Sequence, residues 1–185
     1  EESKFIYFYW GDPDYQMHHY GIDSFIVKRM VRRIDHFVKR VTKENPDTLF
    51  LTFADHGHIN VKYFDICEHE DLYSCLSKYI TLEKRCASFF VKFEKRNEFE
   101  ALFNKYYGDF FELLTKEKAL EIELFGKGKP APITLDTIGD YIAVSKKEYG
   151  LYASKENKDP GTYKGHHAGG TKEERLIDIS AFNIK

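Results

Sequence analysis

The sequence is poor in cysteine, and its three cysteines, Cys67, Cys75 and Cys86, show no CxxC spacing. An odd number without this spacing argues against the disulfide framework of a small secreted domain. We therefore expect free thiols in a reducing compartment. A chain of 185 residues buries enough apolar surface to fold without disulfides or a structural metal.

Long hydrophobic runs and an excess of charge are also lacking. No apolar run approaches the roughly 18 residues that a membrane helix needs, and no signal peptide is recognisable. With 28 Lys and Arg against 30 Asp and Glu, the chain lacks the basic character typical of nucleic-acid binding. These absences predict a cytoplasmic protein with no membrane and no nucleic acid polymer among its partners, and they leave its oligomeric state open.

The first part of the chain shows a strand, helix, strand pattern. Residues 5–10 (FIYFYW) form an apolar run that ends at turn residues, which is typical of a buried strand, and a loop follows. Residues 24–44 repeat apolar positions every three or four residues, which predicts a helix with a solvated basic face that stops before Pro46. Residues 48–53 (TLFLTF) predict a second buried strand. Together these elements predict a βαβ unit of a largely parallel sheet, in which ligands bind beyond the carboxyl ends of the strands.

Residues 71–140 change character, because their elements resemble an antiparallel arrangement and carry few clustered His or Asp residues. We expect an amphipathic segment at 72–80, strands at 87–93 and 110–114, and a helix after Thr115. A capping box at 97–100 (NEFE) predicts another helix start, as does a second one at 171–174 (TKEE). Arg85 is expected in a surface ion pair rather than on a phosphate. We interpret this stretch as an inserted α+β lobe, and residues 1–70 and 141–185 as an α/β metal-binding core.

Histidines are concentrated at three places, and aspartates accompany them at two. Asp14 and His18 form a DxxxH pair, and Asp55 directly precedes His56. Neutral imidazoles and carboxylates are ligands that zinc and manganese prefer, so one cavity at the strand ends would collect about five of them. Each pair alone is weak evidence, because DxxxH is common by chance and a lone Asp-His pair is more often a turn or a helix cap than a pair of ligands. The six clustered histidines are His18, His19, His56, His58, His166 and His167, of which we interpret His19 and His58 as local hydrogen-bonding neighbours.

Three motifs resemble those of the alkaline phosphatase superfamily, particularly its nucleotide pyrophosphatase/phosphodiesterase-like branch. Residues 9–21 (YWGDPDYQMHHYG) are similar to its DxxxHxYG metal segment, and residues 51–57 (LTFADHG) to its ADHG motif. Residues 165–174 (GHHAGGTKEE) are similar to its closing histidine loop. Residues 83–91 and 124–141 resemble the lobe that bacterial members insert between the last two motifs. The resemblance therefore spans nearly the whole chain in the family order, and it implies an alkaline-phosphatase-like central sheet flanked by helices, with an inserted α+β lobe.

The resemblance implies the activity and its site. Asp14, His18 and His167 would hold one divalent metal ion, and Asp55 and His56 a second one. The ions would be zinc, with manganese as the alternative, and they would bridge the phosphate of a small-molecule phosphate ester, with nucleotide-type esters among the candidates. The family nucleophile, a Thr or Ser, comes from a segment that precedes the DxxxH motif, and nothing in residues 1–13 resembles it. We therefore expect the carboxy-terminal part of a longer phosphodiesterase or phosphatase, inactive by itself.

Two other interpretations stay open at this point. The chain is alternatively a folded binding or structural module whose clusters hold a metal without turnover, or no metal at all. Metal-dependent phosphomutases and phosphonate hydrolases also share related motifs. The motif order favours a hydrolase, and the sequence does not distinguish monoesters from diesters.

Overall fold

The computed structural model describes residues 3–156 and 163–182, which contain seven α-helices and ten β-strands. The helices are α1 Asp12–Tyr20, α2 Phe25–Glu44, α3 Glu70–Tyr73, α4 Arg96–Tyr107, α5 Lys116–Glu121, α6 Pro132–Thr137 and α7 Lys172–Arg175. The strands are β1 Phe50–Phe53, β2 Ile59–Asn60, β3 Lys62–Asp65, β4 Thr81–Glu83, β5 Cys86–Phe89, β6 Phe111–Thr115, β7 Tyr141–Ser145, β8 Tyr149–Tyr152, β9 Gly165–His166 and β10 Ile179–Phe182. This mixture of helices and sheets is the predicted α/β class.

Helix α2 confirms the prediction for residues 24–44. Ser24 is its N-cap, and the Ser24 hydroxyl accepts a hydrogen bond from the backbone N–H of Val27 at 3.2 Å. The helix ends at Glu44, two residues before Pro46. The basic side chains along the helix are exposed, as predicted, namely Lys28, Arg29, Arg32, Arg33, Lys39, Arg40 and Lys43.

The segment before α2 differs from the prediction in two ways. Residues 5–10 form no strand, and their side chains are exposed, with Phe5 at 91% and Ile6 at 86%. A strand needs a partner for its backbone N–H and C=O groups, and no described strand pairs with this segment. The predicted loop after it is helix α1, because Pro13 fits the first turn of a helix and Asp12 and Asp14 carry favourable charge there.

The predicted parallel βαβ unit was also wrong. Strand β1 pairs antiparallel with β10, with Phe50 opposite Phe182 and Phe53 opposite Ile179. Its side chains are not buried as predicted, because Phe53 is 60% exposed. The parallel pair among the described residues is β3 with β8, a connection that crosses the whole middle of the chain. The periodicity of one strand carries no information about which distant strand will pair with it.

A four-stranded antiparallel sheet in the order β4, β5, β7, β6 lies in the middle of the chain. Helix α4 packs on it, and the ring of Phe89 lies 5.3 Å from that of Phe99 and 5.6 Å from that of Phe103, all three fully buried. The predicted strands at 87–93 and 110–114 are β5 and β6, and the predicted helix after Thr115 is α5. The sheet and its helices give this stretch an α+β character.

The predicted capping box at 97–100 is not present. Helix α4 begins one residue earlier, at Arg96, and its N-cap Lys95 makes no side-chain cap. A 3-10 turn at Phe93–Lys95 leads directly into the helix, so the chain enters without a separate cap. The second capping box is confirmed, with Thr171 at the N-cap and Glu174 three residues later.

The division into a core of residues 1–70 and 141–185 and a lobe of residues 71–140 stays a prediction. Strand β7 belongs to the core in that division, yet it is hydrogen-bonded between β5 and β6 of the lobe sheet. The three cysteines are free thiols, as predicted. Across residues 3–156 and 163–182 no helix combines the length and the hydropathy required to cross a bilayer.

Candidate metal centre

Three segments that are distant in sequence meet beside the short β2–β9 ladder. The first is α1, the second is the β1–β2 loop, and the third is β9 with the loop that follows it. Helix α1 lies directly on β9, because the backbone N–H of Lys164 donates to the carbonyl oxygen of His18 at 2.7 Å. Gly165 permits this approach, since a Cβ there would lie 2.6 Å from the carbonyl oxygen of Met17. The local packing therefore gathers the polar residues of all three segments.

The Oδ1 atom of Asp14 is the centre of the cluster. It lies 2.7 Å from Nε2 of His58 and 3.4 Å from Nε2 of His18. It also lies 3.5 Å from Nε2 of His167 and 3.9 Å from Nε2 of His56. The ligand atoms of Asp14, His56, His58 and His167 all lie within 4.8 Å of one another. One carboxylate is thus surrounded by four imidazoles, and we call these five residues the metal centre.

Backbone carbonyls orient two of these imidazoles. Nδ1 of His18 lies 2.9 Å from the carbonyl oxygen of Gly165, and Nδ1 of His56 lies 3.1 Å from that of Gly57. A carbonyl oxygen only accepts, so each Nδ1 carries the proton and donates it. The Nε2 atom of each ring then faces Asp14, and in the neutral form this is the tautomer in which histidine binds a metal through Nε2.

The protonation states also suit a cation. Burial lowers the pKa of His167 to about 4, helped by the nearby imidazoles of His56 and His58. Burial lowers the pKa of His58 as well, and that of His166 to about 4. Burial alone would raise the pKa of Asp14, but the hydrogen bond from His58 and the neighbouring histidines outweigh it and lower this pKa. Near neutral pH the lowered pKa values therefore leave His58 and His167 neutral beside a charged Asp14 carboxylate.

The structure brings together four of the five predicted ligands, Asp14, His18, His56 and His167. Asp55 lies at the edge, where its Oδ1 is 3.7 Å from Nε2 of His56 and accepts from the backbone N–H of that residue at 3.1 Å. Its side chain is 64% exposed and points less deeply into the centre. The assignment of Asp14, His18 and His167 to one ion, and of Asp55 and His56 to another, stays a prediction.

His58 belongs to the cluster, although the sequence predicted only a local hydrogen-bonding role for it. Its side chain is 4% exposed and contacts Asp14 directly, rather than a neighbour in sequence as predicted. A sequence signal for His58 is its place two residues after His56, close to the start of β2, because alternate residues of an extended chain face the same side. His19, by contrast, is hydrogen-bonded within its own helix, with Nδ1 2.9 Å from the carbonyl oxygen of Tyr15.

Comparison with known proteins identifies the family and the fold. The family model described as type I phosphodiesterase / nucleotide pyrophosphatase matches residues 1–171. Human ectonucleotide pyrophosphatase/phosphodiesterase 5 has a similar structure, with a TM-score of 0.67 and 21% identity, covering 94% of this chain and 45% of that chain. The murine protein has a TM-score of 0.65 and 20% identity over the same shares of both chains. No sequence among curated proteins gives a significant match.

A third similar structure is phosphonoacetate hydrolase from Sinorhizobium meliloti 1021 in complex with phosphonoformate. Its TM-score is 0.65 and its identity 16%, covering 91% of this chain and 43% of that chain. The present chain thus spans less than half the length of each of these proteins. These likenesses confirm the alkaline-phosphatase-like fold that the motifs implied. The extent of the family match shows that the chain belongs to the type I phosphodiesterase/nucleotide pyrophosphatase family, within the alkaline phosphatase superfamily.

Proposed function

We propose that this chain supplies the metal ligands of a two-metal phosphodiesterase or phosphatase that hydrolyses small-molecule phosphate esters. The observation that carries the proposal is the convergence of four imidazoles on Asp14 Oδ1, with ligand atoms of four residues within 4.8 Å of one another. Family membership supports a hydrolase. An inactive variant of the murine relative, with a threonine replaced by alanine, has been solved in complex with AMP. That complex supports a nucleotide-type ester as the substrate.

The donors suit zinc or manganese. Nitrogen ligands from neutral imidazole, together with carboxylate oxygen, are the set that zinc favours and that manganese accepts. The Nε2 atoms of His18, His56 and His167 lie 3.4–3.9 Å from Asp14 Oδ1. In their neutral forms these nitrogens would offer lone pairs to a cation bound beside the carboxylate, so the donor set fits a metal site.

Each residue has a role in this proposal. Asp14, His18 and His167 hold one ion, whereas His56 and Asp55 hold the other. His58 lies between the two sets and donates to Asp14. Bound divalent ions would stabilise charge on the attacking and leaving oxygens of a phosphoryl group. The residues of this chain orient the ester, and the more exposed Asp55 leaves the second side of the centre open to it.

The nucleophile is proposed to be a Thr or Ser that precedes this chain in the full protein. The threonine replacement that accompanies inactivity in the murine relative supports this choice. A hydroxyl nucleophile forms a covalent phosphoryl intermediate and divides hydrolysis into two displacements. The 185 residues alone would then bind metal but not turn over substrate. The lobe, residues 71–140 with β7 completing its sheet, is proposed to shape access to the centre.

The test measures Zn²⁺ and Mn²⁺ binding and hydrolysis of bis-p-nitrophenyl phosphate and p-nitrophenyl phosphate by the full-length protein. We expect metal-dependent hydrolysis of at least one ester, and loss of metal affinity in the Asp55→Ala and His167→Ala variants. His36→Ala on the exposed face of α2 is the matched control and leaves both readouts unchanged. Unchanged metal binding in both site variants would refute the ligand assignment, and metal binding without hydrolysis would favour a binding module. Phosphonoacetate, tested in parallel, separates phosphonate hydrolysis from ester hydrolysis.

A further inference from the structure

A buried ion pair links the lobe to the segment that follows the metal centre. Arg85 lies in the turn between β4 and β5, and Glu174 lies in α7. The Arg85 Nε donates to Glu174 Oε1 at 2.5 Å, and Nη2 donates to Oε2 at 2.7 Å. The two side chains are 0% and 1% exposed. The predicted surface position of Arg85 was therefore wrong, because its partner is distant in sequence and covers it.

The geometry of this pair is fixed by further hydrogen bonds. Arg85 Nη1 donates to the carbonyl oxygen of Tyr149 at 2.7 Å, and Nη2 donates to that of Lys147 at 2.9 Å. Buried charges are costly unless their hydrogen bonds are satisfied, and the planar guanidinium satisfies them in only one orientation. Burial would raise the pKa of Glu174, but the Arg85 contact outweighs it and lowers this pKa, so the carboxylate is charged. The guanidinium thus sets the position of the Glu174 carboxylate.

Glu174 in turn holds both loops that carry histidines of the centre. Its Oε1 accepts from the backbone N–H of Gly169 at 2.8 Å, two residues after His167. Its backbone carbonyl accepts from the N–H of Gly57 at 2.9 Å, and Gly57 lies between His56 and His58. One residue therefore bonds the two ligand-bearing loops to each other.

The loops approach this residue so closely that no side chain fits at either glycine. A Cβ on Gly57 would lie 1.9 Å from the carbonyl oxygen of Glu173. A Cβ on Gly169 would lie 2.6 Å from Arg85 Nη2 and 2.7 Å from Glu174 Oε2. The Gly169 loop therefore packs on the ion pair itself, and the Gly57 loop packs on the backbone of Glu173 and Glu174.

We propose that Arg85 is a positioning residue for the metal centre, which acts through Glu174 to fix the spacing of the His56–His58 and His167 loops. Arg85 itself contacts none of the ligands, so the lobe contributes to metal affinity from outside the centre. The inference rests on the proposed function for the role of the histidines, and on the observed contacts for everything else. Partners that orient metal ligands typically contribute about 10–100-fold to metal affinity.

The experiment compares three variants in the full-length protein. Arg85→Lys keeps the positive charge but loses the bidentate contact with Glu174. Glu174→Gln keeps the shape of the side chain but loses its negative charge. Arg96→Lys is the matched control, because Arg96 forms an ion pair with Asp140 in the same lobe, away from the metal centre. The readouts are the Zn²⁺ dissociation constant by calorimetry, the visible absorption spectrum with Co²⁺ bound, and the melting temperature without metal.

The expected result is a Zn²⁺ dissociation constant raised about 10–100-fold in Arg85→Lys and Glu174→Gln, with an altered Co²⁺ spectrum. Arg96→Lys keeps the affinity and the spectrum of the parent. A lower melting temperature with unchanged affinity and spectrum shows a purely structural pair and overturns the inference. Failure of both variants to fold without metal overturns it as well, because the pair would then be a requirement of the fold. If the parent itself binds no Zn²⁺, Mn²⁺ or Co²⁺, the proposed function fails instead.

Discussion

The Nε2 atom of His58 lies 2.7 Å from Oδ1 of Asp14, the shortest contact in the metal centre. Within the described residues the buried Nδ1 of His58 has no hydrogen-bond partner. The side chain therefore directs its one hydrogen bond at the carboxylate. This contact both orients Asp14 and keeps it charged, which gives His58 a direct influence on the proposed ligand.

Replacement of His58 by alanine tests this influence. We expect Zn²⁺ affinity to fall about 10–100-fold in His58→Ala, because Asp14 loses the group that orients it. Calorimetric titration of the metal-free protein measures the change. His19→Ala is the control, since His19 is exposed and bonded only within its own helix. Equal affinities in the two variants would remove His58 from the metal centre.

The buried imidazoles predict a pH dependence of stability. Burial lowers the pKa of His166 and His167 to about 4, whereas an unfolded histidine titrates near 6.5. Below pH 6.5 the unfolded state binds more protons than the folded state does. The free energy of unfolding is therefore highest above pH 6.5 and falls as the pH drops toward 4. Urea unfolding between pH 7.5 and 4.5, with a chelator present, measures this slope. We expect a smaller slope in His166→Gln than in the parent protein, and an unchanged slope in His36→Gln. Equal slopes for the parent and both variants would contradict the prediction.

The close approach at Gly57 predicts a destabilising effect of any side chain there. In Gly57→Ala the new Cβ meets backbone, which has little freedom to move. We expect the free energy of unfolding to fall by about 1–3 kcal/mol and metal binding to weaken. Gly11→Ala is the control, because its Cβ meets only the flexible Tyr9 ring at 3.3 Å. Similar stabilities for the two variants would show that the β1–β2 loop moves freely away from α7.

The aromatic core of the lobe predicts a contrast between two phenylalanines. Phe103 is fully buried, whereas Phe93 is 81% exposed. Phe103→Ala should cost about 3–5 kcal/mol, because it leaves a cavity among packed rings. Phe93→Ala should change stability by less than about 0.5 kcal/mol. Chemical denaturation monitored by circular dichroism distinguishes them, and a small effect at Phe103 would place the core of the lobe elsewhere.

Local signals account for what the sequence predicted well. Helix α2 has apolar periodicity, a serine cap and a following proline, all within one stretch of chain. Helix α5 is capped by Thr115, whose hydroxyl accepts from the N–H of Lys118. The histidine and aspartate motifs were recognisable because metal ligands need particular residue types at short spacing. These features depend on neighbours in sequence.

Most of the predictions that were wrong concern contacts between distant parts of the chain. Residues 5–10 have the composition of a strand, but pairing depends on another segment and not on composition. Pro13 was taken for a turn residue, although proline is equally suited to the first turn of a helix. The Arg85–Glu174 pair joins distant parts of the chain, and no local sequence pattern predicts it. The sequence therefore indicated most of the residues that cluster around Asp14, and not the contacts that hold them together.

The bond from Gly57 to Glu174 has a consequence for the order of events during synthesis. His56 and His58 emerge from the ribosome before Glu174, whose backbone carbonyl accepts the hydrogen bond from the intervening Gly57. The middle sheet has its strands closer together along the chain, and it is free to fold first as a scaffold. The His56–His58 loop therefore gains its bond to Glu174 only after α7 has been translated.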